Sequence, residues 1–223
     1  MGTAVIIDIL GSVVIGSLLL LILFQMNDKA TQNTYNFSGE LVVQQNMVTM
    51  VEVLEYDFRK IGYCENPLAL PDPEENSILY ADTSDIKFLT DVMIPPYNDP
   101  HGDGVVDTVE YKLGPTSELT GTPNPDDRKL YRIVNGVKKG INLGITEFKI
   151  KYFRDSLITD GTTLAEILPG NLPKVYTAGS PTGITAMQID IKIENTAAYN
   201  AGQNSYRYAF WRQIRLSSRN LNR

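Results

Sequence analysis

The feature that most constrains this chain is a continuous apolar segment near its N-terminus. From Ala4 to Phe24 the sequence is apolar except for Asp8, Ser12 and Ser17. With a helical rise of ~1.5 Å per residue, this segment covers ~30 Å, the thickness of the hydrocarbon core of a bilayer. No basic residue precedes it, and the apolar run is longer than that of a secretory signal. We therefore expect a membrane-spanning helix that is retained in the protein.

The same helix is expected to continue with a different surface. After the apolar segment, apolar residues recur three or four positions apart, with charged and amide side chains between them. These residues are Val43, Met47, Met50, Val51, Leu54, Phe58 and Ile61. The pattern stops at Gly62, and glycine commonly ends helices. We predict an apolar helix over residues 1–26, an amphipathic helix continuing it over 27–62, and a domain over 63–223.

The rest of the chain predicts an antiparallel sheet. In the clearest segment, apolar residues occupy alternate positions from Met187 to Ile193, which is typical of a strand buried on one face. The strand-like runs are 78–80, 85–89, 105–113, 129–134, 145–153, 187–194 and 206–216. Both this sheet and the amphipathic half of the helix have one face to bury. The predicted fold is therefore α+β, with an antiparallel sheet packed on that half of the helix.

Composition excludes several classes of function. The chain has 20 Lys+Arg against 26 Asp+Glu and a net charge of −6, which does not favour a nucleic-acid partner. His101 is the only histidine and Cys64 the only cysteine. A Ser-His-Asp set, a Cys-His set or a histidine-based zinc site therefore lacks members. Glycine-rich phosphate loops are also absent, and we predict that the protein is not an enzyme.

The segment 99–110 reproduces most of a twelve-position calcium loop. The positions that supply oxygen ligands in such loops, including one backbone carbonyl, are occupied by Asp99, Asp103, Val105, Asp107 and Glu110. A glycine stands at position six, where the loop turns sharply. Two interpretations stay open. The segment is either a structural Ca²⁺ site or an acidic β-hairpin turn of the Asp-Gly type.

Three motifs resemble one protein family. They are LEYDFRKIGY at 54–63, DGVVDTVEYKLG at 103–114 and RLSSRNL at 215–221. Together with the long N-terminal helix, they are similar to type IV pilins and pseudopilins, most of all to the larger minor pilins and minor pseudopilins. The resemblance implies subunits that are anchored in the inner membrane before assembly. They then assemble with other copies, other pilins and inner-membrane assembly proteins. The assembled filament is extracellular.

The resemblance also implies a role for an acid near the N-terminus. Family members lose a short basic leader and then carry a glutamate at their fifth position, which pairs with the N-terminus of a neighbour. Here the fifth residue is Val5, and the only early acid is Asp8. Two explanations stay open. Either the numbering begins at a processed Met1 and the acid has moved, or this is a divergent filament protein that dispenses with the leader peptidase.

Asp8 is also unusual on physical grounds. A carboxylate inside an apolar span costs ~2.5–3.5 kcal/mol on insertion scales, so it is expected to have a partner. The α-amino group of Met1 in a neighbouring copy is one such partner. Seven residues at ~1.5 Å each then predict an axial offset of ~10 Å between the two copies. The alternative is a residue at the membrane edge that lies among headgroups and favours the helix dipole.

Three functions are compatible with these patterns. The first is a structural subunit of a type IV pilus-like filament that assembles through its apolar helix. The second is a minor pilin or pseudopilin that primes or caps a type IV pilus or type II secretion machine. The third, from another class, is a membrane-anchored calcium-binding domain that does not polymerise.

Overall fold

A computed structural model describes residues 2–70, 77–92, 102–158, 161–172, 183–195 and 209–216. Its first element, α1, is a single α-helix of 58 residues, Gly2–Arg59. The hydroxyl groups of Ser12 and Ser17 donate hydrogen bonds to carbonyl oxygens of the preceding turn. Neither serine therefore leaves an unpaired donor in the apolar segment, and the helix runs through both without a break.

The end of α1 lies close to the predicted break. Arg59 is its last residue, and the backbone N–H of Lys60 then donates to the carbonyl of Asp57 at 3.1 Å. Gly62 has a φ of 71°, a left-handed conformation that favours glycine. Its N–H donates to the carbonyl of Leu89 at 2.9 Å. Gly62 is thus the point at which the chain leaves the helix and meets the sheet.

Most of the remaining described residues form an antiparallel sheet of eight strands. The strands are β1 (Ile78–Ala81), β2 (Asp85–Thr90), β3 (Asp107–Leu113), β4 (Arg128–Val134), β5 (Val137–Ile158), β6 (Gly161–Ile167), β7 (Ala186–Glu194) and β8 (Ala209–Leu216). Their order is β1-β2-β3-β4-β5-β7-β8, and β6 pairs with the C-terminal part of β5. The predicted α+β fold, a long helix on an antiparallel sheet, is confirmed.

The sheet differs most from the prediction at β5 and β6. The prediction placed a strand at 145–153, whereas β5 begins at Val137 and pairs first with β4 and then with β6. Residues 138–140 are Lys-Lys-Gly and show no apolar alternation, so only their bonds to β4 make them a strand. The β4–β5 turn is Asn135–Gly136, with φ values of 49° and 82°, as a two-residue hairpin loop of this type requires.

The amphipathic half of α1 packs on one face of this sheet, as predicted. The buried helix residues are Val43, Met47, Met50, Val51, Leu54, Asp57 and Phe58. The Phe58 ring lies 5.4 Å from that of Phe88 and 5.5 Å from that of Tyr111, between centroids. From the sheet side, the four alternate apolar residues of β7 are each at most 1% exposed. The helix therefore forms one layer of the core.

One buried polar cluster fixes α1 to the sheet. Asp57 is 1% exposed and accepts a hydrogen bond of 2.6 Å from the hydroxyl of Tyr111 on β3. The Arg132 guanidinium on β4 donates two more, at 2.5 and 3.1 Å. Burial, followed by the charge of Asp57, raises the pKa of Tyr111 well above its usual value. The C-terminal end of α1 is thus held to the sheet by the Asp57 carboxylate, whose charge Arg132 and Tyr111 compensate.

Candidate functional site

The apolar half of α1 is not covered by the other residues that the structure describes. The large apolar side chains from Val5 to Met26 are between 51% and 67% exposed. This part of the helix is long and apolar enough to cross a membrane, and none of its most apolar stretch is buried inside the protein. So large an exposed apolar surface marks an interaction site or a membrane contact.

The exposed apolar surface continues beyond the segment that a bilayer would cover. Phe37, Leu41 and Val48 are 62%, 49% and 50% exposed. At helical spacing these three residues share one side of α1, facing away from the sheet. They lie ~20–36 Å past Phe24 along the helix, at ~1.5 Å per residue. Neither the sheet nor a bilayer that holds the first segment reaches them.

Asp8 lies within the uncovered apolar surface. It forms no hydrogen bond or ion pair with any residue that the structure describes. Met1, whose α-amino group is the predicted partner in a neighbouring copy, lies outside the described residues. Because the serine hydroxyls of the segment are satisfied by the helix itself, Asp8 is its charged group that still requires a partner.

A second candidate site is a group of three acids where β2 ends and β3 begins. One carboxylate oxygen from each of Asp91, Asp103 and Asp107 lies within 4.8 Å of the others. The sequence pattern predicted Asp103 and Asp107 but missed Asp91, because Asp91 lies outside the contiguous loop. Asp91 could have been found only from the pairing of β2 with β3. Thr90 at the end of β2 lies opposite Asp107 in β3, which brings the next residue, Asp91, close to the loop.

The other predicted ligands do not join this group in the described residues. Glu110 lies on the opposite face of β3 from Asp107, opposite Lys87 of β2. Successive residues of a strand alternate between faces, so positions 9 and 12 of the loop separate once β3 forms. Asp99 lies outside the described residues. Val105 was predicted to supply a backbone carbonyl. Its contact with the acidic group is instead through its backbone N–H, which donates to Asp103 Oδ1 at 2.9 Å.

The carboxylate of Asp91 already accepts several protein hydrogen bonds. Its Oδ2 atom accepts the backbone N–H of Glu65 at 3.1 Å and of Gly104 at 3.0 Å. Its Oδ1 atom accepts the N–H of Asp103 at 3.0 Å. The thiol of Cys64 lies 3.6 Å from Oδ2, and burial raises the pKa of that thiol. Asp91 therefore ties the segment after α1 to the segment before β3.

Two further contacts shape the acidic group. Asp107 is 2% exposed and accepts hydrogen bonds from the N–H of Val92 at 3.1 Å and the side-chain amide of Asn135 at 2.6 Å. Gly102 has a φ of 114°, and a Cβ atom there would lie 1.9 Å from Asp91 Oδ1. The site thus combines the hard oxygen ligands that Ca²⁺ prefers with N–H donors that compensate the buried charge without a metal.

Comparison with known proteins assigns no family. No protein-family model matches the chain, and no curated protein matches it. What the fold defines is an α+β protein whose N-terminal helix is long and apolar enough to anchor it in a membrane.

Proposed function

We propose that this chain is a structural subunit of a type IV pilus-like filament, assembled through α1 with the sheet on the outside. The observation that carries the proposal is the length of the exposed apolar surface. A bilayer covers ~30 Å of helix, but Phe37, Leu41 and Val48 extend the apolar side well beyond that. The α1 helices of other copies have the same apolar surface and can cover it along its whole length. A membrane anchor alone needs no such extension.

In this proposal the apolar half of α1 holds the subunit in the inner membrane until it joins the filament. Other pilins and inner-membrane assembly proteins receive it there, and the finished filament lies outside the cell. Within the filament, Asp8 pairs with the Met1 α-amino group of a neighbouring copy. That ion pair fixes an axial offset of ~10 Å between the copies and removes the cost of an unpaired carboxylate in an apolar core.

Electron microscopy of filaments sheared from cells tests the proposal. The comparison is between wild type, Asp8→Ala and Glu52→Ala. Glu52 is the matched control because it is an exposed acid on the same helix, outside the apolar segment. We expect filaments from the wild type and from Glu52→Ala. We expect none from Asp8→Ala, although that variant still reaches the membrane fraction.

Two results would contradict parts of this proposal. Wild-type protein that remains monomeric in detergent and never forms filaments would argue against the structural subunit. If it then co-purified with other pilins, it would be a minor pilin or pseudopilin that primes or caps assembly. Filaments from Asp8→Ala would preserve the polymer and place Asp8 among headgroups instead.

A second candidate function is a membrane-anchored calcium-binding domain that does not polymerise. It is favoured by one observation, the meeting of Asp91, Asp103 and Asp107 within 4.8 Å. Such a Ca²⁺ ion would hold the segment before β3 in place and have no catalytic role. Absence of filaments together with Ca²⁺-dependent stability would identify this function.

A further inference from the structure

A cavity over the face of strands β6, β5, β7 and β8 that carries Arg215 has no role in filament assembly as proposed above. Its volume is about 250 Å³. Among the described residues it is lined by Phe153, Leu164, Ala186, Met187, Arg215 and Leu216. A water molecule takes up ~30 Å³ in the liquid, so the cavity has room for about eight. That is the size of a small organic molecule rather than of a folded partner.

Arg215 is the charged residue of this lining. Its Cζ atom lies 5.9 Å from the centroid of the Phe153 ring, and its Nε–H donates to Gln188 Oε1 at 3.3 Å. No carboxylate of the described residues forms an ion pair with it. The guanidinium is therefore positioned beside an apolar cavity with its charge available to a ligand.

A buried amide sets the orientation of this guanidinium. Gln188 is 6% exposed, and its Nε2 group donates to both carboxylate oxygens of Asp190, at 3.1 and 3.2 Å. These bonds fix which end of the amide is the donor, so Oε1 must face Arg215. Because Gln188 engages the Nε–H, the two terminal NH₂ groups of Arg215 remain for a bidentate acceptor.

We propose that this cavity binds a small molecule that carries one carboxylate on a compact apolar body. The carboxylate accepts two hydrogen bonds from the terminal NH₂ groups of Arg215, the geometry that guanidinium and carboxylate favour. The apolar body lies among Phe153, Leu164 and Ala186, which share the Arg215 face of the sheet. An aromatic body suits the site best, because the Phe153 ring makes favourable contacts with aromatic rings.

The lining itself supplies the reporter for a test. Phe153 borders the cavity and is partly exposed, whereas Phe58 and Phe88 are buried between α1 and the sheet. ¹⁹F spectra of the full chain in lipid nanodiscs, with its phenylalanines labelled as 4-fluorophenylalanine, therefore separate binding at the cavity from partition into lipid. The probes are phenylacetate and phenylacetamide, which share one apolar body and differ in charge.

We expect phenylacetate to shift the Phe153 ¹⁹F resonance in a saturable way, with a dissociation constant on the order of 1 mM for so small a ligand. Phenylacetamide should need about tenfold more, because it cannot form the charged pair with Arg215. The Phe58 and Phe88 resonances should not move with either probe. A Phe153 resonance that does not respond to phenylacetate would overturn the proposal.

Two variants complete the test. Arg215→Gln should weaken phenylacetate binding about tenfold and abolish the preference over phenylacetamide. Arg212→Gln is the matched control, since Arg212 lies on the same strand but opposite Ile191, on the other face from Gln188 and Arg215. Equal losses in the two variants, or an unchanged affinity in Arg215→Gln, would refute the assignment. Unshifted Phe58 and Phe88 resonances would show that each variant is folded.

Discussion

At the scale of single residues, Asp103 and Asp91 play different parts in the acidic group. Asp91 is fully buried, and its carboxylate is bonded to backbone N–H groups on two segments. Asp103 is exposed, and its carboxylate accepts the N–H of Val105. Asp103 is therefore the carboxylate that can be changed without loosening the surrounding backbone.

The calcium hypothesis makes a prediction at this residue. Asp103→Asn keeps an oxygen that accepts the Val105 N–H and removes one charge from a group of three carboxylates. Ca²⁺ at tenfold its dissociation constant should add about 1.4 kcal/mol to the free energy of unfolding of the wild type and much less to that of the variant. Thermal unfolding with and without Ca²⁺ measures both.

Asp126→Asn is the control for that experiment, because Asp126 is exposed and lies outside the acidic group. It should keep the Ca²⁺ response of the wild type. In the absence of Ca²⁺, Asp103→Asn should be at least as stable as the wild type, since one like-charge repulsion is removed. If Ca²⁺ stabilises none of the three proteins, the acidic turn of the Asp-Gly type is the correct interpretation.

At the scale of elements, α1 depends on the sheet only over its second half. The contact combines apolar packing, from Val43 to Phe58, with the buried Asp57 cluster. Hydrophobic contact alone specifies the rotation of a helix weakly, because Val, Leu and Met side chains can repack. Three hydrogen bonds from Tyr111 and Arg132 to one carboxylate allow a single rotation and a single axial position.

Removing this carboxylate should be costly. Asp57→Ala leaves the Arg132 charge, which is 25% exposed, without its partner, and loss of one member of a buried pair costs about 3–5 kcal/mol. Urea unfolding followed by the fluorescence of Trp211, the only tryptophan, measures the change. The matched control is Glu55→Ala on the same helix, whose ion pair with Arg59 is solvent-exposed and worth under about 0.5 kcal/mol. Similar losses in the two variants would argue against a specific role for Asp57.

At the scale of the whole molecule, the two halves of α1 differ in whether they are buried. The first buried residue of the helix is Val43, so the apolar segment contributes nothing to the core of the described structure. The stability of the described structure therefore rests on the sheet and the second half of the helix. In the proposed filament, association rests mainly on the first half, so the two properties are separable.

A truncated chain tests this separation. Deletion of residues 1–26 should yield a soluble monomer, because the surface that is 51% to 67% exposed is removed. Its melting temperature should stay within about 2 °C of the full chain, since no buried contact is lost. Size-exclusion chromatography and calorimetry check the two statements. A fall of about 8 °C or more would mean that the apolar segment supports the fold.

Much of the fold could be predicted because its signals are local. The helical spacing from Val43 to Ile61 and the alternation from Met187 to Ile193 each state which face is buried, and both faces are buried as expected. Asp8 is recognised from its neighbours in sequence alone. Gly62 likewise marked the end of the helix, because few other residues adopt its positive φ.

By itself, the sequence determined the two halves of α1, the α+β class and the charge that stands alone in the apolar segment. Only the tertiary structure decided that Asp91 joins Asp103 and Asp107 while Glu110 turns away, that β6 extends the sheet, and that Gln188 orients Arg215 beside a cavity. The physical reason is the separation in sequence of the residues that interact. Periodicity along one segment indicates which face is buried, whereas these contacts arise from pairing between strands that are distant in the sequence.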